Sequence, residues 1–446
     1  MTSFSRAVAE LKRYPSAVAG LLLIALLLLA GIFAPLYIPY GEALAKWRGG
    51  DAWRMYPVNA APAWTDWLTG NNNPRTQILS TRDASRTQAH FAGGRQEHIA
   101  LHFDYEADGF PSELNVFLQT DRSARAPFVR LTWLTPSGER FLLGGQRVSA
   151  ADRISISQHQ LLSQRLGQAP HVGLFAQPAS RKSGATPVVQ KGRYTLAIDA
   201  ILFGDEATLE ADLVVYGRVH GIAGTDHQRR DLLVALLWGI PIALAFGLLA
   251  AVGTTLTTLF IAAAGVWYGG WRDALIQRLT EINMILPLLP ILVMIGALYS
   301  TSIWLMLGVV VLLSIFGGGI KMYRAMLLPI KQAPYIEAAR AYGAGGFRIV
   351  IRYMIPRVLP VLIPTFVTLI PTFVFLEASL AVLGLGDPVL PTWGKILNDA
   401  QTQSALYNGY YYWVLAPAVL LMLTGLGFAM LGFAMDRVFN PRLRSL

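Results

Sequence analysis

His98 and His102 stand four residues apart, a spacing that on a helix would aim two imidazoles at one metal ion. They fall instead in a run where Ile99, Leu101, Phe103 and Tyr105 alternate with Ala100, His102 and Asp104, which is the period of a strand. No Glu follows His98, as a zinc-protease helix would require. Solvated or packed histidines are therefore expected, and no metal. There is no G-x-S-x-G motif and no Ser-His-Asp arrangement for nucleophilic catalysis. The absence of G-x-x-x-x-G-K-[ST] means that the chain is not expected to cradle ATP phosphates. With no cysteine, thiolate metal sites and disulfides are excluded.

The most informative stretch is Lys331-Gln332-Ala333-Pro334-Tyr335-Ile336-Glu337-Ala338-Ala339-Arg340-Ala341-Tyr342-Gly343. Pro334 suits a first helical position, where its missing N–H costs nothing, and Glu337 sits near the positive end of the dipole. Gly343 suits a left-handed C-terminal cap. Ala338 and Ala339 are expected to leave one face nearly bare, so that a partner can approach the backbone. A second short helix is expected over Phe347–Ile355, stopping at Pro356. Two short helices with a small-residue face make a docking element.

What must position this element is a membrane. The 446 residues are 54% hydrophobic and only 14% charged, with mean hydropathy +0.44; soluble domains carry roughly 25% charged residues. Apolar runs long enough for roughly 30 Å of hydrocarbon predict six spans, over 17–38, 240–266, 281–299, 302–320, 358–383 and 412–434. The first is read as an uncleaved anchor, because a signal-peptide core is shorter. With the N-terminus inside, residues 1–16, 267–283, 321–357 and 435–446 face the cytoplasm. They hold 15 Lys and Arg against five acids, which accounts for the whole formal charge of +10. The basicity is thus an orientation signal, and nucleic acid is not an expected partner.

Residues 40–220 differ in composition, with 19 Lys and Arg against 17 Asp and Glu. Alternation recurs at Val129, Leu131 and Trp133 before the Pro136-Ser137-Gly138 turn and Phe141. It recurs again at Tyr194, Leu196 and Ile198, then, past a Gly204-Asp205 turn, at Leu209, Ala211, Leu213 and Val215. A β-rich, sandwich-like domain on the outer face is expected, inserted between the first and second transmembrane helices. Residues 44–96 show no clear period and read as loops with short helices; 150–190 hold one helical piece and a loop. The domains are then 1–39 (N-terminus and first span), 40–222 (outer domain) and 223–446 (a five-span core with the cytoplasmic loop 321–357).

Within the spans, Pro287, Pro290, Pro364, Pro371 and Pro417 imply kinks. Gly317-Gly318-Gly319 and Gly425, Gly427 and Gly432 suit close helix packing better than a pore lining. Glu377 is the acid well inside a span and so a candidate for the pathway or its gate. A contact with Thr or Ser on a neighbour serves it as well. Glu281 with Arg278 reads as a local ion pair.

Glu337-Ala338-Ala339, with Gly343 and Ile355-Pro356 beyond, resembles the EAA loop of ABC importer permeases. Further stretches are similar to the dipeptide/oligopeptide (C-type) branch of that family. They are Gly224-Thr225-Asp226 with Arg230-Asp231, and Tyr268-Gly269-Gly270-Trp271 with Arg278-Leu279-Thr280. Next come Glu377-Ala378-Ser379-Leu380 through Gly384-Leu385-Gly386 with Pro391-Thr392-Trp393-Gly394, and the tail Asn440-Pro441-Arg442-Leu443-Arg444. Together they cover 217–446 in family order. Arg229 stands where the branch usually has Gly, Tyr353 where a His is common and Asn440 for a usual Asp, and the outer domain is far larger than the branch's short loop.

The resemblance implies a type I importer-like helical permease that binds no cofactor and is not an enzyme. ATP and Mg would sit on two cytoplasmic ATPase subunits, which pull on the coupling helix when they dimerise. Glu337, Ala338, Ala339, Arg340, Gly343 and Pro356 would carry that coupling, and Glu377, Pro371 and Trp393 are candidates for the pathway or gating. A second homologous permease and an external substrate-binding protein complete the implied assembly in a bacterial inner membrane, with both termini cytoplasmic. Peptides are the implied cargo, with a small solute such as a nickel chelate as the variant. An ion-coupled secondary transporter would predict repeated halves and several buried charges, and a membrane-anchored sensor a cytoplasmic signalling domain; neither pattern is present in the sequence.

Overall fold

The computed structural model of this chain falls into two units. It describes residues 14–82, 84–91, 93–121, 126–181, 186–203 and 207–439. One compact unit is Gly49–Leu233; the other joins the residues up to Arg48 with those from Val234 onward. Lys12, Arg13, the Gly204-Asp205 turn and the Asn440–Arg444 tail lie outside the described residues.

Among its described residues the first unit holds nine antiparallel strands: β1 (Gln77–Ser80), β2 (Ser85–Phe91), β3 (Gly94–Tyr105), β4 (Glu113–Thr120), β5 (Phe128–Leu134), β6 (Arg140–Arg147), β7 (Ala151–Ser155), β8 (Gly192–Phe203) and β9 (Leu209–Tyr216). They form a four-stranded sheet, order β1-β9-β4-β7, and a five-stranded sheet, order β2-β3-β8-β5-β6. One apolar core takes side chains from both. Ile99, Leu101 and Phe103 of β3, Leu131 and Trp133 of β5, and Ile198 of β8 share it with Leu114 and Leu118 of β4 and Leu213 and Val215 of β9. Two sheets closing on one core are a sandwich. Each large apolar side chain withdrawn from water here contributes roughly 1.5–3 kcal/mol, which fixes the register because a one-residue slip would expose the whole set.

β1 and β2 fall inside 44–96, where loops with short helices were expected; the short helices are present at Tyr40–Trp47 and Thr65–Thr69. β2 is exposed along its length, so neither face imposes alternation. It is held by its ladder with β3 and by Gln88 Nε2 donating to Glu97 at 2.9 Å. His98 and His102 lie on β3 as exposed residues, with Nδ1 2.7 Å from Asp199 Oδ1 and from Thr195 Oγ1 respectively. Among the described residues no group of three metal-ligating side chains exists.

Arg229 occupies the left-handed region at φ +66°, which costs an L-residue about 1–2 kcal/mol and explains why Gly suits the position. Its guanidinium offsets that cost. It donates to Tyr56 O at 2.7 Å and to the Glu113 carboxylate, and lies 4.5 Å from the Tyr216 ring centroid.

The helical unit contains α1 (Pro15–Tyr37), α2 (Leu232–Tyr268), α3 (Gly270–Ile285), α4 (Leu288–Leu298), α5 (Ile303–Ile315), α6 (Gly318–Lys331), α7 (Pro334–Ala341), α8 (Ile355–Leu380), α9 (Trp393–Thr402) and α10 (Tyr412–Phe439). Among the described residues four helices are long and apolar enough to cross a membrane. The number rises to six if the bent pairs α3–α4 (78°) and α5–α6 (45°) each make one span. The bends fall at Pro287 and Gly317, where the N–H ladder is interrupted. α1 meets α10 with almost no side chain between them. A Cβ on Gly20 would lie 2.7 Å from Gly427 O, and one on Gly432 2.6 Å from Thr368 Cγ2 on α8. Close packing, as expected for Gly427 and Gly432, is the role of these glycines, whereas Gly317, Gly318 and Gly319, expected to pack likewise, line a cleft described below.

The expected stop at Pro356 is not found. A four-residue helix at Gly346–Ile349 runs through a π turn, Val350–Met354, directly into α8. Pro356 has no N–H to donate and its ring would crowd the carbonyl four residues back. The widened turn just before it absorbs both, and the helix continues.

Candidate functional site

The segment 331–349 is built upward from its caps. α7 begins with Pro334 in its first turn, and at its other end Ala344 N donates to Ala339 O (3.0 Å) and Gly343 N to Arg340 O (2.9 Å). That pair of bonds, with Gly343 at φ +78°, is a Schellman cap that reverses the chain. The helix is seated by Ile336 and Ala339, which are buried with Val266 of α2, Tyr323 and Leu327 of α6, and Ile349 and Val350 beyond the cap.

Charges add to the seat. Lys331 Nζ donates to Val266 O at 2.7 Å, meeting a carbonyl that the end of α2 leaves unsatisfied. Arg324 of α6 grips Asp273 of α3 through three contacts of 2.7–3.0 Å. The Arg340 guanidinium sits 4.4 Å from the Trp267 ring centroid.

α2 has 37 residues, about 55 Å of helix against about 30 Å of hydrocarbon. Its C-terminal turns, where this seat lies, therefore have length to stand outside the apolar layer. The two alanines separate rather than sharing a bare face: Ala339 is buried, whereas Ala338 is exposed beside Glu337, Arg340 and Gly343. Tyr342 is 92% exposed and Phe347 78%. Five of the six expected coupling residues are thus brought together on α7 and its cap. Pro356 is placed apart, inside the start of α8.

The three expected pathway residues are all buried. Trp393 donates its indole N–H to Leu236 O at 3.0 Å, tying the start of α9 to α2. Glu377 lies near the end of α8 and is 6% exposed. Pro371 lies in the middle of α8. Trp393 thus joins α9 to α2, and none of the three lines the cleft described next.

A cleft of about 480 Å³ opens where the two helix bends meet α2 and α8, lined by Thr254, Thr255, Asn283, Ser314, Gly317 and Thr365 among others. Single-sequence reading did not find it, because its polar groups come from four separated helices and form no local pattern. Asn283 Nδ2 donates to Leu313 O at 2.7 Å and Thr258 Oγ1 to Ile315 O at 2.9 Å, so both satisfy carbonyls freed at the second bend. Arg278 and Glu281 make the expected local pair at 3.1 Å.

Comparison with known proteins gives this helical unit, with its bent candidate spans, the class of a transport permease. Residues 243–445 match the family model described as "Binding-protein-dependent transport system inner membrane component", and residues 2–62 match the N-terminal TM domain of oligopeptide transport permease C. Over 226 residues the chain is 30% identical to the glutathione transport system permease protein GsiD of Pectobacterium atrosepticum, covering 50% of this chain and 73% of the relative. Over 229 residues it is 31% identical to the dipeptide transport system permease protein DppC of Alkalihalophilus pseudofirmus, covering 50% and 72%. The chain belongs to the family of binding-protein-dependent transport system inner membrane components: it is an ABC importer permease subunit rather than an enzyme.

Proposed function

We propose that this chain is one membrane subunit of an ATP-driven importer of peptides, working with a second homologous permease, two cytoplasmic ATPase subunits that hold ATP and Mg, and an external substrate-binding protein. The names of its relatives, which carry dipeptides or glutathione, support a small peptide as cargo. The observation that carries the reading is the seat of α7: Ile336 and Ala339 are buried against α2 and α6, while Glu337, Ala338, Arg340 and Tyr342 face outward. A helix rigidly joined to two candidate spans and bare on its other side can transmit a push from a partner without deforming, as rigid-body switching requires.

In this reading each bent pair is one span, giving six, with both termini and residues 321–357 cytoplasmic as the basic residues direct. The β sandwich then lies on the outer side, inserted between α1 and α2, where it meets the binding protein. The membrane is the bacterial inner membrane. Reconstitution tests this: trialanine uptake into proteoliposomes should require the ATPase subunits and ATP. Flux through the permease chains alone would overturn it.

A further inference from the structure

We infer that the cleft at the two helix bends is a solute-contacting site for an uncharged hydrogen-bonding group, and that a peptide main-chain amide is the class it fits. This rests on the permease reading above. The cleft volume of about 480 Å³ falls within the roughly 300–1,000 Å³ typical of small-ligand pockets. Among the described residues its lining has hydroxyls, one carboxamide and apolar groups but no charged side chain. An ionised group would lose its hydration there with no opposite charge to meet it; a neutral dipole such as an amide would be matched.

Two hydroxyls are left for such an occupant. Thr254 and Thr255 are more than nine-tenths buried, line the cleft, and among the described residues their Oγ1 atoms have no hydrogen-bond partner. A helical threonine ordinarily satisfies itself on the carbonyl four residues back. Thr257, on the same turn, does so to Gly253 O at 2.6 Å, as do Thr280 to Ile276 O and Thr424 to Leu420 O. Thr258 and Asn283 are engaged with the carbonyls of the second bend. Thr254 and Thr255 do neither. A buried hydroxyl held away from its local acceptor carries a desolvation cost that a ligand would remove.

The absence of cysteine from the chain makes the test direct. Thr254→Cys and Thr255→Cys each place a unique thiol on this subunit. In the full transporter in proteoliposomes, modification by methyl methanethiosulfonate is followed by mass spectrometry, with and without trialanine. The expected result is modification slowed about tenfold by trialanine at both positions, the effect of one hydrogen-bonded occupant. Ser300→Cys, exposed between α4 and α5, should be unaffected. Equal rates with and without trialanine, meaning that water alone occupies the cleft, would overturn the inference, as would no modification in either state.

Should the cysteine variants fail to assemble, Thr254→Val and Thr255→Val keep the shape and remove the hydroxyl. They should raise the KM for trialanine about tenfold with ATP hydrolysis retained, and an unchanged KM would overturn the proposal. Failure of the permease reading is distinguishable, since it would show as trialanine flux independent of ATP in the unaltered protein.

Discussion

Arg340 and Trp267 join the loop helix to the end of α2: the guanidinium lies 4.4 Å from the indole centroid. On the same indole, a Cβ added to Gly346 would come within 2.3 Å of Nε1. One ring thus holds both α7 and the turn that follows it. Cation–π contacts of this kind contribute about 0.5–2 kcal/mol. Trp267→Ala should lower ATP-driven uptake severalfold while hydrolysis by the assembled transporter continues, and Arg340→Ala should then cost little more in the double variant. Strictly additive losses would show that the two residues act separately.

Gly343 is needed for its backbone. At φ +78° an L-residue costs about 1–2 kcal/mol, and the Gly343 N–H donates to Arg340 O. Gly343→Ala should weaken uptake and Gly343→Pro, which also loses the N–H, should abolish it, both with membrane levels near normal. Full uptake by well-expressed Gly343→Pro would contradict the role given to this cap.

The neighbouring alanines should respond in opposite ways. Ala339→Leu forces extra volume into the packed seat and should cost about 1–3 kcal/mol of stability, read as a lower unfolding midpoint in detergent. Ala338→Leu, on the exposed side, should leave the midpoint unchanged and reduce recovery of ATPase subunits on co-purification. Equal midpoints for the two variants would contradict the orientation of α7.

Acid should weaken the sandwich through Glu113. Burial raises the pKa of this carboxyl, but hydrogen bonds and charge from Arg229, with Asn115 and Arg153, outweigh it, and the net shift is downward. A depressed folded pKa contributes stability above the unfolded value, about 4.3, and that contribution is lost as pH falls through the lower folded value. The full-length protein should therefore lose unfolding midpoint below about pH 4.3 more steeply than Glu113→Gln, as followed by circular dichroism. Identical acid limbs would show that the Glu113–Arg229 pair contributes nothing.

Legibility followed the physics of exposure. β3, β5, β8 and β9 bury one face in the shared core, so their alternation stands in the sequence. β2 is exposed on both faces, and the centre of β4, Leu114–Leu118, is buried throughout; a strand with two like environments has no period to read. The capped helix at Pro334–Ala341 was legible because Pro and Gly act locally. The continuation of helix past Pro356 was not, because the π turn Val350–Met354 just before it, which no local residue type announces, accommodates the proline. The cleft escaped notice for a related reason: Thr254, Asn283, Ser314 and Thr365 become neighbours only when four helices pack.

The central claim is that α7 is the joint between this bundle and a nucleotide-hydrolysing partner. Tyr342, at the exposed end of that helix, is the position to ask. With Tyr342 replaced by the photo-crosslinker p-benzoylphenylalanine in native membranes, illumination should yield one dominant adduct to a cytoplasmic ATPase subunit. An adduct only to an extracytoplasmic protein, or no ATPase adduct in membranes that still import solute, would contradict the account.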